Sequence, residues 1–360
     1  MKKILFTGGG TAGHVWPIVS VINALKNKDI EILYVGSKSG VENKITADQR
    51  ISFKGIMVGK WRSYFTTDSV LLNIVDIFKN AIGLFQSLFI LMSFRPDLVF
   101  AKGGYVTFPM IFWSRIFRIT LVIHESDIII GKANMWASDI AKKIFVGFPI
   151  DEYRNIKKDK LVYTGIPIVN QFNTGLNNKI KKQKPLILVT GGSQGSQKIN
   201  NLIWEIVSQL VKKYEIYHLV GSDNISKIPK NLLNIDSYNY SGFSSQIYDQ
   251  MSHADLVISR SGASTLMEIS SLEKPSILIP LSTSSANHQL LNAMFFEEKK
   301  AAIVLDENKL TADMLLDMIN QLIADPKKLE ILGHNAKSIS QNNADKIIAN
   351  ELLKVLDENK

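Results

Sequence analysis

Six short segments carry residue types that could do chemistry, and most of them end an apolar run. Gly8-Gly9-Gly10-Thr11-Ala12-Gly13-His14 follows one such run and opens a helical pattern. Glycines let a backbone approach a ligand closely, and the first N–H groups of a helix favour an anion. His14, at the mouth of that turn, is a candidate general base. The spacing is not GxGxxG. No acidic residue closes the next strand, EILYVG, where dinucleotide sites carry one. A tight strand–helix turn is the simpler alternative. Gly103-Gly104-Tyr105 and His124-Glu125-Ser126-Asp127 end two further strands of the first half. In the second half, Gly191-Gly192-Ser193-Gln194-Gly195-Ser196 has the composition of a phosphate or ribose loop. Ser259-Arg260-Ser261-Gly262-Ala263-Ser264-Thr265 ends a strand and starts a helix whose N–H groups could hold a diphosphate. Glu268 follows, and a carboxylate there suits a ribose diol, or else simply complements the helix start. Asn287-His288-Gln289-Leu290-Leu291-Asn292 offers amides, which both donate to and accept from sugar hydroxyls, with helix capping as the alternative. Together these residues describe a nucleotide-sugar site in the second half, facing a glycine turn and a histidine in the first.

The elements that must position them alternate. Strands are expected at 2–7, 31–36, 97–104, 119–125, 143–148 and 161–167, with helices at 14–26 and 70–93. After a polar stretch rich in Asn and Lys at 170–185, the plan restarts with strands at 186–192, 215–221, 254–262 and 275–281. Helices at 196–212, 264–272 and 286–300 follow or separate them. Strands separated by helices imply parallel sheets covered on both faces. The expected class is therefore α/β with two doubly wound domains, whose ligand crevices lie at the carboxyl ends of the strands.

Composition narrows the class further. The 360 residues are 46% hydrophobic and 21% charged and include no cysteine. Disorder, a disulfide scaffold, a thiolate metal site and a cysteine nucleophile are excluded. The net charge is +9. Residues 1–165 hold 22 basic against 13 acidic side chains, whereas 166–360 are balanced. A basic half attracts an anionic partner such as nucleic acid, phospholipid or a phosphorylated substrate, and no nucleic-acid recognition motif is present. The apolar run after Lys2-Lys3 is too short for a signal peptide. The greasiest stretch, 80–94, falls short of the ~20 residues that span a bilayer, so no transmembrane helix is expected.

GGGTAGH (8–14), KGGYVTFP (102–109), HESD (124–127), GGSQGS (191–196), SRSGAST followed by Glu268, and HQLLNA (288–293) occur in that order. The set resembles the MurG family of peripheral membrane glycosyltransferases of peptidoglycan synthesis, and the similarity runs over about 1–340. The resemblance implies a GT-B fold with two Rossmann-like domains facing across a cleft. Residues 1–165 would face acceptor and membrane, 166–342 would bind UDP-GlcNAc, and the 343–360 helix would cross back. It implies inverting transfer of N-acetylglucosamine from UDP-GlcNAc to the muramyl 4-hydroxyl of lipid I, giving lipid II, with no metal or other cofactor. Carried over by motif, His14 is the base and Glu125 the runner-up. Thr11, Ala12 and Gly13 contact donor sugar or diphosphate, and Asp127 lies on the acceptor side. Ser193 contacts phosphate or ribose, and Ser244 lies where the family holds uracil by its backbone. Ala263, Ser264 and Thr265 hold the diphosphate, Glu268 the ribose, and Gln289 and Asn292 the GlcNAc hydroxyls.

Three positions depart from the family pattern. Val169 stands two residues after Pro167, where the family often has arginine, so that diphosphate binding should weaken unless Arg260 or a lysine compensates. Asp127 replaces an amide, and His288 replaces the first of two glutamines. The resemblance also implies docking on the anionic cytoplasmic leaflet of the cell membrane, with cell-wall or division proteins as further partners. Phe85, Leu88, Phe89 and Trp113 are the candidate membrane residues, with Trp61 and Phe117 as further interfacial aromatics. Lys79, Arg95, Arg115 and Arg118 could flank them. The rival readings are a glycosyltransferase with another lipid acceptor, a UDP-GlcNAc epimerase, and a catalytically weak cell-wall scaffold.

Overall fold

The computed structural model describes residues 1–59, 67–154, 156–169, 183–192, 194–244, 246–284 and 287–358, with backbone only at 67–71. Ser193, Trp61 and most of the 170–185 stretch lie outside the described residues. Contacts divide the chain into two compact units, Met1–Val169 with Asn343–Lys360, and Asn170–Asn342.

The first unit is built on seven parallel strands in the order β3-β2-β1-β4-β5-β6-β7. They are β1 (Lys2–Thr7), β2 (Ile30–Ser37), β3 (Phe53–Ile56), β4 (Leu98–Ala101), β5 (Thr120–Glu125), β6 (Lys143–Val146) and β7 (Leu161–Tyr163). The order reverses between β1 and β4, which opens a crevice at their carboxyl ends. The glycine turn leaves β1 at that point, and Lys102-Gly103-Gly104 leaves β4 beside it. The strands are apolar on both faces because helices cover both. On one face, Ile4, Phe6, Phe100, Val122 and Phe145 pack against Val15, Ile18 and Ile22 of α1 (Ala12–Leu25). The same core takes in Ile348, Leu352, Val355 and Leu356 of the helix Ala344–Glu358. Each such side chain contributes roughly 1.5–3 kcal/mol on burial. Lys143–Glu351 and Lys2–Asp357 ion pairs lie at the edge of that helix.

The apolar helix α3 (Thr67–Phe94) is longer than its greasiest stretch suggested. Leu72–Phe94 is 23 residues and is long and apolar enough, by length and composition, to cross a membrane. One side of it is fixed to the first unit. Asn80 Oδ1 accepts from Gly59 N at 2.8 Å and Gln86 Oε1 accepts from Met57 N at 2.8 Å. Trp113, on α4 (Phe108–Phe117), donates Nε1–H to Leu84 O at 2.7 Å. Asp76, Ser87, Ile90 and Leu91 are buried on that inner side.

The second unit repeats the plan with six parallel strands in the order β10-β9-β8-β11-β12-β13. They are β8 (Leu186–Thr190), β9 (Glu215–Leu219), β10 (Tyr238–Ser241), β11 (Leu256–Ser259), β12 (Ser276–Leu278) and β13 (Ile303–Val304). Here the order reverses between β8 and β11, and the turns at 191–196 and 260–262 leave those two strands. Beneath the 220–221 turn, His218 Nε2 meets Asn200 Oδ1 at 3.0 Å and Nδ1 meets Tyr238 Oη at 3.0 Å. Trp204 Nε1 donates to the same phenol at 3.1 Å. Burial pushes His218 down to about 3, so it is neutral. Nε2–H then donates to Asn200, and Nδ1 accepts from the phenol.

Candidate active site

In the first unit the glycine turn is held by side chains from outside it. Tyr34 Oη donates to Gly8 O at 2.9 Å. Glu42, wholly buried in the first turn of α2 (Val41–Asp48), accepts from Ser37 N at 2.7 Å and from Gly10 N at 3.3 Å. Thr11 is the exposed N-cap of α1, followed by half-buried Ala12, Gly13 and His14. His14 Nδ1 lies 3.0 Å from Gly9 O. A carbonyl only accepts, so Nδ1 carries the proton and the lone pair belongs to Nε2. Gly104, at φ +85°, presses against this pair. A Cβ there would lie 2.9 Å from Gly9 O and 3.3 Å from His14 Nδ1, so only glycine fits.

Glu125 is buried at the end of β5 with both oxygens occupied. Oε1 accepts from Ser126 N at 2.8 Å and Asp127 N at 3.1 Å. Oε2 accepts from Gly131 N at 2.9 Å and Asn134 Nδ2 at 2.9 Å. Burial and the Asp127 charge raise its pKa, against the Gly131 N–H, Lys102 and Asn134, which lower it. The carboxylate folds the HESD turn onto α5 (Lys132–Ser138). Asp127 is half-buried, and its carbonyl accepts from Tyr153 Oη at 3.1 Å. Lys102 is buried with its ammonium on Ser126 Oγ. Burial pushes it down to about 8, although Glu125 and Asp127 pull the other way. The charge that Asp127 brings therefore has a cation beside it.

In the second unit, Ser196 caps the helix Gln197–Leu210 by accepting from Ile199 N at 3.4 Å. The helix Ala263–Ser271 begins at the end of β11 with Gly262 as N-cap and no side-chain cap, so the amides of Ala263, Ser264 and Thr265 form its first turn. Glu268 lies one turn on, half-buried, and burial pushes its carboxyl up to about 7. Gln289 Oε1 accepts from Leu281 N at 3.1 Å, which points its amide nitrogen elsewhere. Asn292 is fully buried and donates Nδ2–H to Ser261 O at 3.2 Å, tying its helix to the 259–262 turn. Ser244 is half-buried beside the exposed Phe243 and accepts from Gln246 N at 3.1 Å.

Arg260 corrects one expectation. It is not a spare cation standing in for an arginine at 169. Its guanidinium is buried, paired with Glu307, and donates to Ser196 Oγ at 2.7 Å and Ile279 O at 3.0 Å. Burial raises the Glu307 carboxyl, but the Arg260 hydrogen bond and the Ser282 donors outweigh it, so the net shift is downward. Glu307 and Glu42 are buried carboxylates at these turns that no motif marks.

Two doubly wound units, each with a glycine turn and a helix start at its topological switch point, are the architecture of the GT-B class. Residues 4–146 match the glycosyltransferase family 28 N-terminal domain, and residues 186–352 match its C-terminal domain. The chain belongs to the family of UDP-N-acetylglucosamine–N-acetylmuramyl-(pentapeptide) pyrophosphoryl-undecaprenol N-acetylglucosamine transferases. It is 38% identical to the one from Clostridium kluyveri over 97% of this chain and 98% of that one. Identity to the one from Clostridium tetani is 37%, over 96% of each. Among solved structures, Acinetobacter baumannii MurG superposes with a TM-score of 0.77 at 23% identity, covering 98% of this chain and 100% of that one. A UDP-GlcNAc 2-epimerase from Neisseria meningitidis reaches 0.68 at 17% identity, covering 98% and 100%. Those two likenesses concern fold alone.

Proposed function

We propose that this enzyme transfers N-acetylglucosamine from UDP-GlcNAc to the muramyl 4-hydroxyl of lipid I, forming lipid II with inversion at the anomeric carbon. The observation that carries the reading is the extent of the similarity. It covers 97% of the chain and so includes the turns of both units. In the reaction the acceptor O4 forms a bond to C1 of the sugar as the C1–O bond to the diphosphate breaks. The proton of O4 passes to His14 Nε2, and the electron pair leaves with UDP. The first-turn amides of Ala263–Thr265 stabilise that leaving charge. Glu125, with four N–H donors on its two oxygens, acts as the positioning residue of the acceptor-side turn. His14 is therefore the better base. Gln289 offers its amide nitrogen to a sugar hydroxyl, and Asn292 keeps the 259–262 turn in place for it. Thr11, Ala12 and Gly13 present backbone to the donor, and Ser193 and the Ser244 backbone serve phosphate or ribose and uracil. The direct test is UDP release from UDP-GlcNAc with and without a lipid I analogue. Release that depends on the muramyl acceptor is expected. UDP binding without acceptor-dependent release would overturn the reading.

Glu268 gives the donor side a pH dependence. A ribose diol donates two O–H groups, so it needs the carboxylate, and a carboxyl near 7 is only partly ionised at neutral pH. KM for UDP-GlcNAc is expected to rise as pH falls below 7, and Glu268→Gln should flatten that dependence while raising KM at pH 8. For the unliganded protein the sign is opposite. The folded value lies above the ordinary 4.5, so this group's contribution to stability is lost as pH rises from there to about 7. A KM profile identical in the wild type and the Gln variant would remove Glu268 from the ribose site.

The outer side of α3 supports peripheral docking on the anionic cytoplasmic leaflet. Leu72, Val75, Phe78, Ile82, Phe85, Phe89 and Met92 recur at spacings of three and four and are all exposed, Phe85 and Phe89 by 64% and 68%. Leu88 is half-buried, and Trp113 is half-buried against Phe117. Trp113, on α4, backs the helix through its bond to Leu84 O. Phe85→Glu with Phe89→Glu is expected to abolish co-sedimentation with phosphatidylglycerol vesicles while sparing turnover of a soluble acceptor. Unchanged vesicle binding would show that the stripe is not the docking face.

A further inference from the structure

We infer that Glu42 is a positioning residue for His14, acting through the peptide between Gly9 and Gly10. The N–H and the C=O of that one peptide unit belong to Gly10 and Gly9 respectively, and a trans peptide points them in opposite directions. Glu42 Oε2 accepts from the N–H at 3.3 Å, and His14 Nδ1–H donates to the C=O at 3.0 Å. The order is carboxylate, peptide, imidazole. A negative charge on the N–H side polarises the amide and makes its carbonyl oxygen a stronger acceptor, since linked hydrogen bonds reinforce one another. The stronger acceptor favours an imidazole protonated at Nδ1 and stabilises the imidazolium that forms when Nε2 takes a proton. A carboxylate bonded directly to a catalytic histidine has the same two effects.

The surroundings of Glu42 form a fitted site. Its side chain is wholly buried. A Cβ on Gly9 or Gly40 would overlap the carboxylate, and one on Gly36 would lie 2.5 Å from Cγ. Three glycines from three segments thus give up side-chain volume around one acid. Its other oxygen accepts from Ser37 N, and it sits in the first turn of α2, where a negative charge is favoured. No lysine, arginine or histidine pairs with it among the described residues, so its charge is directed at backbone N–H groups.

This inference rests on the reading of His14 as the base, and the test separates the two. The His14 imidazole is titrated by 15N NMR in wild type and in Glu42→Gln, with His14→Gln used to assign the signal. Glu42→Gln is expected to lower the His14 pKa by about one unit and to move the acidic limb of the kcat profile down with it. A fall in kcat of about tenfold or more is expected, with KM for UDP-GlcNAc unchanged. In a His14→Ala background, Glu42→Gln should cost nothing further. An unshifted His14 pKa, or losses that multiply in the double variant, would overturn the relay. A shifted pKa alongside near-normal turnover of His14→Ala would retain the relay and overturn His14 as base. If the Gln variant does not fold, Glu42→Asp keeps the charge but shortens the reach to Gly10 N. It should give a smaller shift of the same sign, and no shift would again overturn the proposal.

Discussion

His14→Ala is expected to lower kcat about 10²–10⁴-fold, the usual span for removing a positioned general base. UDP affinity and melting temperature should stay near wild type. The side chain is half-buried, and its hydrogen bond to Gly9 O is an ordinary one. Truncation therefore removes little packing and leaves a carbonyl that can turn to water. The loss should fall on the chemical step, because Nε2 takes its proton only as O4 attacks. Acceptor-dependent UDP release measured at saturating donor and acceptor reads this directly. Turnover within threefold of wild type would sink the assignment, and a large rise in donor KM would move His14 from the base to the donor site.

Arg260→Met carries the other large effect, and that effect is structural. The guanidinium is buried and bonded to Glu307, Ser196 and Ile279, which come from separate parts of the second unit. Removing it leaves the Glu307 carboxylate, among the described residues, with only the Ser282 N–H and hydroxyl, at 3.0 and 3.1 Å. Breaking a buried pair from one side costs about 3–5 kcal/mol, mostly from the uncompensated charge. Arg260→Met should therefore lower the melting temperature of the second unit sharply, and Arg260→Met with Glu307→Leu should recover much of the loss. Calorimetry of the three proteins decides. A single variant as stable as wild type would show that the pair is not needed to hold the 259–262 turn.

The two sheets were largely legible because parallel strands covered on both faces are continuous apolar runs. KKILFT, EILYVG and LILVTGG each end in glycine or polar residues that mark the carboxyl end. Three of the four edge strands, β3, β10 and β13, have no clear signal in the sequence. FKGI and YNYS lie where only one neighbour pairs with them, and each buries only one of its four residues. The helix Ala312–Ile323 escaped too, because its apolar residues form a stripe rather than a run. At the site, motif spacing located the turns but not which polar groups are spent inside them. Glu125 is the runner-up base by motif, and its four N–H partners are visible only in the fold. Arg260 looked like a free cation, yet Glu307, which neutralises it, is 47 residues away in sequence. Glu42 was missed for a related reason. Dinucleotide sites carry a ribose-binding acid at the end of β2, whereas the acid here is five residues past Ser37 and faces inward onto the glycine turn. Its sequence trace is glycine at 9, 36 and 40, which reads as three unrelated turns until the fold closes them around one carboxylate.

The helix Ala344–Glu358 bears on how the polypeptide is made. It supplies Ile348, Ala349, Leu352, Val355 and Leu356 to a core whose other buried members all lie before residue 146. During synthesis, domains fold in the order in which they emerge, as units. The stretch 170–342 is contiguous and can close as soon as it leaves the ribosome. The segment before it waits with one face of α1 and its sheet uncovered until the helix Ala344–Glu358 has been made. The later half is thus the first to mature, and the nascent chain carries an open hydrophobic seam through most of translation, where a chaperone would have reason to bind.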